Sequence, residues 1–117
     1  MNKLVNVIKK LISNTKSGKI KWEKPFYGDG VSCIINDNTI RLTTTDRFKI
    51  AEALEEHYEI IIEFSDSNGM TYARANSDEL SKNDSQLGKD IHDMYERANQ
   101  EVMEANLDTL ISALDEI

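Results

Sequence analysis

The sequence predicts an α+β fold in which an antiparallel sheet of four or five strands carries an N-terminal helix and a long C-terminal helix on one face. Residues 58–64, Tyr-Glu-Ile-Ile-Ile-Glu-Phe, are rich in β-branched and aromatic residues and end in a turn-like sequence at 65–69. Apolar residues recur at helical spacing in 2–12, and residues 84–117 contain no proline. A chain of 117 residues has the size of a single domain, 1–117.

The first element is predicted to be an amphipathic helix of about four turns that starts at Asn2. Its apolar residues follow three- and four-residue spacing, with lysines on the opposite side: Leu4, Val5, Val7, Ile8, Leu11 and Ile12. We expect it to end near 15–17, because Gly18 can adopt the left-handed conformation that closes a helix and Lys16 suits the negative end of the helix dipole.

Five segments are predicted as strands: 19–23, 31–35, 39–43, 58–64 and 70–75. The fourth is central, with Ile60 and Ile62 facing the core and Glu59 and Glu63 facing the other side. Trp22 is expected to seal the edge of the core where the first helix crosses the sheet, with a ligand site as the alternative. Cys33, the single cysteine, is interpreted as a buried, unreactive thiol.

Two connecting segments receive different interpretations. Residues 51–56 are strong helix formers, and we expect a short helix or turn from about 46 to 56, inserted at the sheet edge. The alternation that runs from Ile40 and Leu42 to Phe48 and Ile50 leaves an extension of the preceding strand as the alternative. Residues 77–83 are expected to form a polar linker.

The last helix is predicted to run from Asp84 or Ser85 to Ile117. Its length is near 50 Å, whereas a six-residue strand spans about 20 Å, so the sheet cannot cover all of it. The remaining apolar turns must lie on the first helix, on a second copy or on another molecule. The expected contact residues are Val102, Met103, Leu107, Leu110, Ile111 and Leu114. A break at 99–100 or at Asn106, folding the last part back, is the structural alternative.

Charge is divided along the chain. Residues 1–24 carry a net charge of +6, residues 25–83 carry −6 and residues 84–117 carry −7. One interpretation is that the basic first helix and the acidic last helix lie side by side and compensate each other. The other is that an acidic face is left open to a basic partner.

No pattern in the sequence indicates catalysis or a cofactor. His92 with neighbouring acids would need a further ligand to hold a metal ion, and there is no nucleophile elbow, Walker motif or dinucleotide motif. The lysines of 3–24 lack interleaved aromatic residues, which disfavours nucleic-acid binding. Residues 1–11 are too short and too polar for a secretory or membrane segment, so we expect a cytoplasmic protein without membrane contact.

Two sequence motifs carry a resemblance. The segment Thr-Lys-Ser-Gly-Lys-Ile-Lys-Trp at 15–22, and Asp-Ile-His-Asp-Met-Tyr-Glu-Arg at 90–97 in the last helix, resemble a group of small uncharacterised proteins of bacteria and their phages. The resemblance covers most of the chain except 44–56, which looks inserted. It implies a helix, an antiparallel sheet and a helix, and a role as an accessory protein of a mobile element, but it transfers no activity to any residue.

The predicted function is therefore a non-catalytic, acidic protein-interaction module that self-associates, as a homodimer, through the last helix and offers acidic surface to an unidentified protein partner. A more specific form is a phage-encoded inhibitor of a host defence system. The competing prediction is a small-ligand or nucleotide-binding domain, with a pocket between the long helix and Trp22, Tyr27 and Tyr72.

Overall fold

A computed structural model of the chain describes residues 2–25, 28–45 and 58–117. The elements are α1 (Asn2–Lys16), β1 (Val31–Ile35), β2 (Asn38–Thr44), β3 (Ile60–Ser65), β4 (Thr71–Asn76), α2 (Ser77–Asn83) and α3 (Ser85–Asp115). The four strands form an antiparallel meander in the order β1-β2-β3-β4. The predicted α+β class is confirmed. The segment 46–56, for which a short helix or turn was expected, lies outside the described residues.

Helix α1 begins and ends where the sequence predicts. Gly18 has a φ of 75°, and its backbone N–H donates to the Thr15 carbonyl at 3.1 Å, while the Lys19 N–H donates to the Asn14 carbonyl at 2.9 Å. These bonds satisfy carbonyl groups that the last turn of a helix leaves open. Because Lys19 is thereby held by the helix end, it does not pair with the sheet.

The predicted strand at 19–23 is consequently wrong over most of its length. Glu23 alone pairs with β1, as an isolated bridge to Ser32. The predicted linker at 77–83 is also wrong, because this segment is α2. Asn76 caps that helix: its side-chain oxygen accepts from the backbone N–H of Asp78 at 2.8 Å and of Glu79 at 3.3 Å.

The core lies between the inner face of the sheet and the two long helices. Strand β3 alternates as predicted, with Ile60, Ile62 and Phe64 buried. Helices α1 and α3 complete the core with these buried residues: Ile8, Leu11, Leu87, Ile91, Met94 and Ala98. Both helices therefore cover the same face of the sheet.

Trp22 closes this core beside α1. Its side chain is only 3% exposed, and its indole Nε1–H donates to the Thr15 hydroxyl at 3.0 Å. A buried indole N–H needs such an acceptor, since leaving it without one costs about 1–3 kcal/mol. The structural interpretation of Trp22 as the seal between the first helix and the sheet is confirmed.

Candidate interaction surface

Helix α3 is much longer than the sheet that it packs against. Its 31 residues extend about 46 Å, against about 20 Å for a six-residue strand. The helix is unbroken, so the predicted alternative of a break at 99–100 or at Asn106 is wrong. Its buried residues end at Ala98, and every residue from Met103 to Ile117 is exposed. The last four turns are therefore a rod that the described part of this chain leaves uncovered.

The apolar residues of this rod form a stripe with heptad spacing. Met103, Leu107, Leu110, Leu114 and Ile117 follow one another at intervals of four, three, four and three residues, which is the pattern of the contact positions in a coiled coil. Ile111 flanks this stripe. We call the six residues the distal seam. Their exposed fractions range from 48% at Leu107 to 57% at Leu114, apart from Ile117, which is 100% exposed.

The distal seam faces nearly away from the core. Each of Met103, Leu107, Leu110 and Leu114 lies sixteen residues after a buried core residue, in the order Leu87, Ile91, Met94 and Ala98. At about 100° per residue, sixteen residues give four full turns and a further 160° or so. Residues that pack on the core side of α3 therefore cannot contact the distal seam. A molecule that buries the seam must contact the opposite side of the helix.

Val102 does not belong to the surface for which the sequence proposed it. It is half-buried and packs against the core, whereas its neighbour Met103 is 51% exposed. The stripe changes sides between these two residues. Of the six residues proposed from the sequence, five lie on the distal seam: Met103, Leu107, Leu110, Ile111 and Leu114. Ile117 belongs to the same stripe by its three-residue spacing from Leu114, but it was not among the six residues proposed for the contact.

Charge is absent from the centre of the seam. The carboxylates of this part of α3 lie about 90° or more around the helix from the seam's centre; they are Glu101, Glu104, Asp108, Asp115 and Glu116. A second copy of a chain with net charge −7 would meet repulsion wherever acidic residues face each other. Glu104 lies on the flank of the seam and the other acids lie further toward the back of the helix, so the line along which two identical seams would meet carries no carboxylate.

A cleft of about 640 Å³ separates α1 from α3. It is lined by five carboxylates and two basic side chains, together with two apolar and two uncharged polar residues: Asp90, Asp93, Glu96, Glu101, Glu104, Lys16, Arg97, Ile12, Met94, Thr15 and Gln100. Within the described ranges, no lysine of α1 forms an ion pair with a carboxylate of α3. The two helices do lie side by side, but close pairing of their charges, as the first interpretation expected, is not found.

Two of the three residues proposed for a ligand pocket, Trp22 and Tyr72, belong to the described part of the chain. Trp22 is buried in the core, and Tyr72 is 58% exposed on β4, where its hydroxyl donates to the Asn38 side-chain oxygen at 2.8 Å. Neither residue lines the cleft between α1 and α3. Tyr27 lies outside the described residues.

Cys33 and His92, the residues considered for catalysis or metal binding, pack against other side chains of the fold. Burial raises the pKa of the Cys33 thiol to about 12, which keeps it protonated at neutral pH and poorly nucleophilic. The His92 ring lies 5.2 Å from the Tyr58 ring, and its Nε2 is 3.5 Å from the Ser77 hydroxyl. Across 2–25, 28–45 and 58–117, no three His, Cys, Asp or Glu side chains are grouped so that they could hold a metal ion. Within the same ranges, no helix has the length and apolar character needed to span a bilayer.

Comparison of the chain with known protein families, with curated proteins and with solved structures gives no match.

Proposed function

We propose that this protein is a non-catalytic interaction module that associates with a second copy of itself through the distal seam. The observation that carries the proposal is the exposed heptad stripe on a helix that outruns its own sheet. Exposed apolar stripes of this extent on a soluble domain mark interaction sites. The spacing favours another helix as the occupant, and the seam's freedom from charge favours an identical one.

The available apolar surface is of the right size for a reversible complex. Five of the six seam side chains are about half exposed, and burying the remainder of each contributes about 1 kcal/mol. Six such residues from each of two copies contribute about 12 kcal/mol. Association costs about 4–15 kcal/mol, and a cost at the low end of this range, about 4–6 kcal/mol, leaves about 6–8 kcal/mol. That net value corresponds to a dissociation constant of roughly 1–40 µM.

The cleft between α1 and α3 has an excess of carboxylates, which favours a basic partner. It indicates nothing more specific about that partner. Carboxylates on a helix exposed to water are common. The proposal therefore rests on the distal seam rather than on this cleft.

The test is a pair of variants that carry the same added charge on opposite sides of α3. Leu107→Glu places a carboxylate in the seam, and Ala105→Glu places one about 160° away, two residues earlier. We expect light scattering behind a sizing column to report a dimer for the unmodified chain and for Ala105→Glu, and a monomer for Leu107→Glu at the same protein concentration. Both positions are exposed, so the circular dichroism spectra should be unchanged.

Three results would contradict the proposal. The first is that the unmodified chain stays monomeric at about 100 µM, well above the estimated dissociation constant. The second is that Leu107→Glu and Ala105→Glu are both monomeric. The third is that Leu107→Glu still forms a dimer. Loss of helical signal in Leu107→Glu would instead show that the variant acts on folding, and Leu110→Ser would then take its place in the same comparison.

A further inference from the structure

Strand β1 is an edge strand that is only half covered on its outer side. One edge pairs with β2, from Val31 opposite Leu42 to Ile35 opposite Asn38. On the other edge, Glu23 and Ser32 exchange two backbone hydrogen bonds, each 2.8 Å long. Beyond Ser32 this outer pairing stops, because Lys19 is bonded to the end of α1 at the Asn14 carbonyl.

The interruption leaves backbone groups of Ile34 pointing outward. Along a strand, the N–H and C=O of successive residues point to opposite edges of the sheet. Since the groups of Ser32 point away from β2, those of Ile34 point the same way. No described residue provides a backbone partner for them. An unpaired donor and acceptor at a sheet edge form a template for one more strand.

A cleft of about 630 Å³ opens at this point between β1 and residues 19–23. Ile34 is 72% exposed and Ile35 is 41% exposed, so the cleft offers apolar contact beside the open backbone groups. Lys19, Lys21 and Glu23 stand on its other wall, which leaves the cleft with an excess of one positive charge. Lys19 has no ion pair with a described carboxylate, and the Lys21 ammonium lies 3.7 Å from Glu23 with both side chains largely in solvent.

We propose that this cleft binds an extended acidic peptide segment of another protein, which adds as a strand to the outer edge of β1. The peptide backbone bonds to the N–H and C=O of Ile34, its apolar side chains contact Ile34, and its carboxylates face Lys19 and Lys21. Strand addition of this kind derives affinity from main-chain bonds and selectivity from the flanking side chains. A second copy paired at the same edge would bring its own two lysines against these two, which disfavours it.

This surface is distinct from the distal seam, so its test does not depend on dimerisation. The probe is a fluorescein-labelled, eight-residue peptide of alternating glutamate and valine. One control peptide replaces each glutamate by lysine, and a second carries N-methyl groups on alternate amides, which removes the donors that a strand needs while keeping the charge. The protein variants are Lys19→Glu/Lys21→Glu and, with the same change in net charge on α1, Lys9→Glu/Lys10→Glu.

We expect fluorescence anisotropy to show binding of the acidic peptide only. Lys19→Glu/Lys21→Glu should weaken that binding by about tenfold or more, and Lys9→Glu/Lys10→Glu by less than about twofold. In the complex, the Ile34 amide should become protected from hydrogen exchange, because it then donates to the peptide. Failure of the acidic peptide to bind at about 1 mM, equal weakening by both variants, or equal binding of the N-methylated peptide would overturn the proposal. So would binding that leaves exchange at Ile34 unchanged.

Discussion

The contact between α2 and α3 gives a sharp test of how closely the first turn of α3 packs against α2. Gly88 is buried in the first turn of α3, and a Cβ built on it would lie 2.5 Å from the Cβ of Ser81 on α2. Real Cβ atoms do not approach so closely, so Gly88→Ala must push the two helices apart. Overpacking of this kind costs about 1–3 kcal/mol. Alanine in a helix gains about 1 kcal/mol over glycine. Gly88→Ala should therefore lower the free energy of unfolding by up to about 2 kcal/mol.

The sign of this effect should reverse when the opposing atom is removed. Ser81→Gly deletes that Cβ, and the next nearest atom to the new methyl group is the Ser77 carbonyl oxygen, at 3.3 Å. In the Ser81→Gly background, Gly88→Ala should therefore be neutral or stabilising by up to about 1 kcal/mol. Ser81→Gly alone should destabilise, since it adds a helical glycine and removes the bond from the Ser81 hydroxyl to the Asp78 carbonyl.

The assay is urea unfolding followed by circular dichroism, with all four proteins at one concentration because self-association would contribute to stability. The four free energies of unfolding form a double-mutant cycle. The reasoning is refuted if Gly88→Ala stabilises the unmodified chain, or if its effect is the same with and without the Ser81 side chain.

Three further changes have expected outcomes. Thr15→Val keeps the side-chain shape but removes the acceptor of the Trp22 indole N–H, and should lower the free energy of unfolding by about 1–3 kcal/mol, whereas a change below about 0.3 kcal/mol would show that this bond is replaced. Asn76→Ala removes the cap of α2 and also the bond that the Asn76 amide donates to the Glu59 carboxylate at 2.8 Å, and should cost about 1–3 kcal/mol in urea unfolding, whereas Asn76→Asp keeps the capping oxygen but sets a second carboxylate against Glu59 and should recover only part of that loss. Burial raises the pKa of Cys33 from 9.0 to about 12. The protonated thiol therefore makes its full contribution to the free energy of unfolding below pH 9, and this contribution is lost as the pH rises toward 12. The free energy of unfolding should therefore fall more steeply between about pH 8 and pH 11 for the unmodified chain than for Cys33→Ala. Parallel curves for the two proteins would show that the raised pKa of Cys33 does not cause the fall.

Much of the fold follows from local sequence signals. The alternation around Ile60 and Ile62 indicates a strand with one buried face, and Gly18 indicates where α1 ends, since both signals depend on the residues themselves. The errors have tertiary or competing local causes. The strand expected at 19–23 is interrupted because Lys19 is held by the last turn of α1. The linker expected at 77–83 is a helix because Asn76 supplies a cap, a signal that is present in the sequence but was outweighed by polar composition.

The candidate surface was predictable in its residues but not in its orientation. Helix length against strand length indicates that apolar turns must remain uncovered, and the structure shows Leu107, Leu110 and Leu114 exposed. The sixteen-residue offset between the two stripes could have been found by counting residues along a helical wheel. By contrast, the half-buried position of Val102 depends on where α3 leaves the core, and the open edge at Ile34 depends on where residues 19–23 lie relative to β1. Both are tertiary properties that no local pattern reveals.

The most direct test of the central claim is the mass of the unmodified chain in solution as a function of its concentration. Sedimentation equilibrium from about 1 to about 100 µM spans the dissociation constant estimated from the seam. The average mass should rise from the monomer value of 13.3 kDa toward twice that value. A mass of 13.3 kDa at every concentration would show that the distal seam does not bring two copies together.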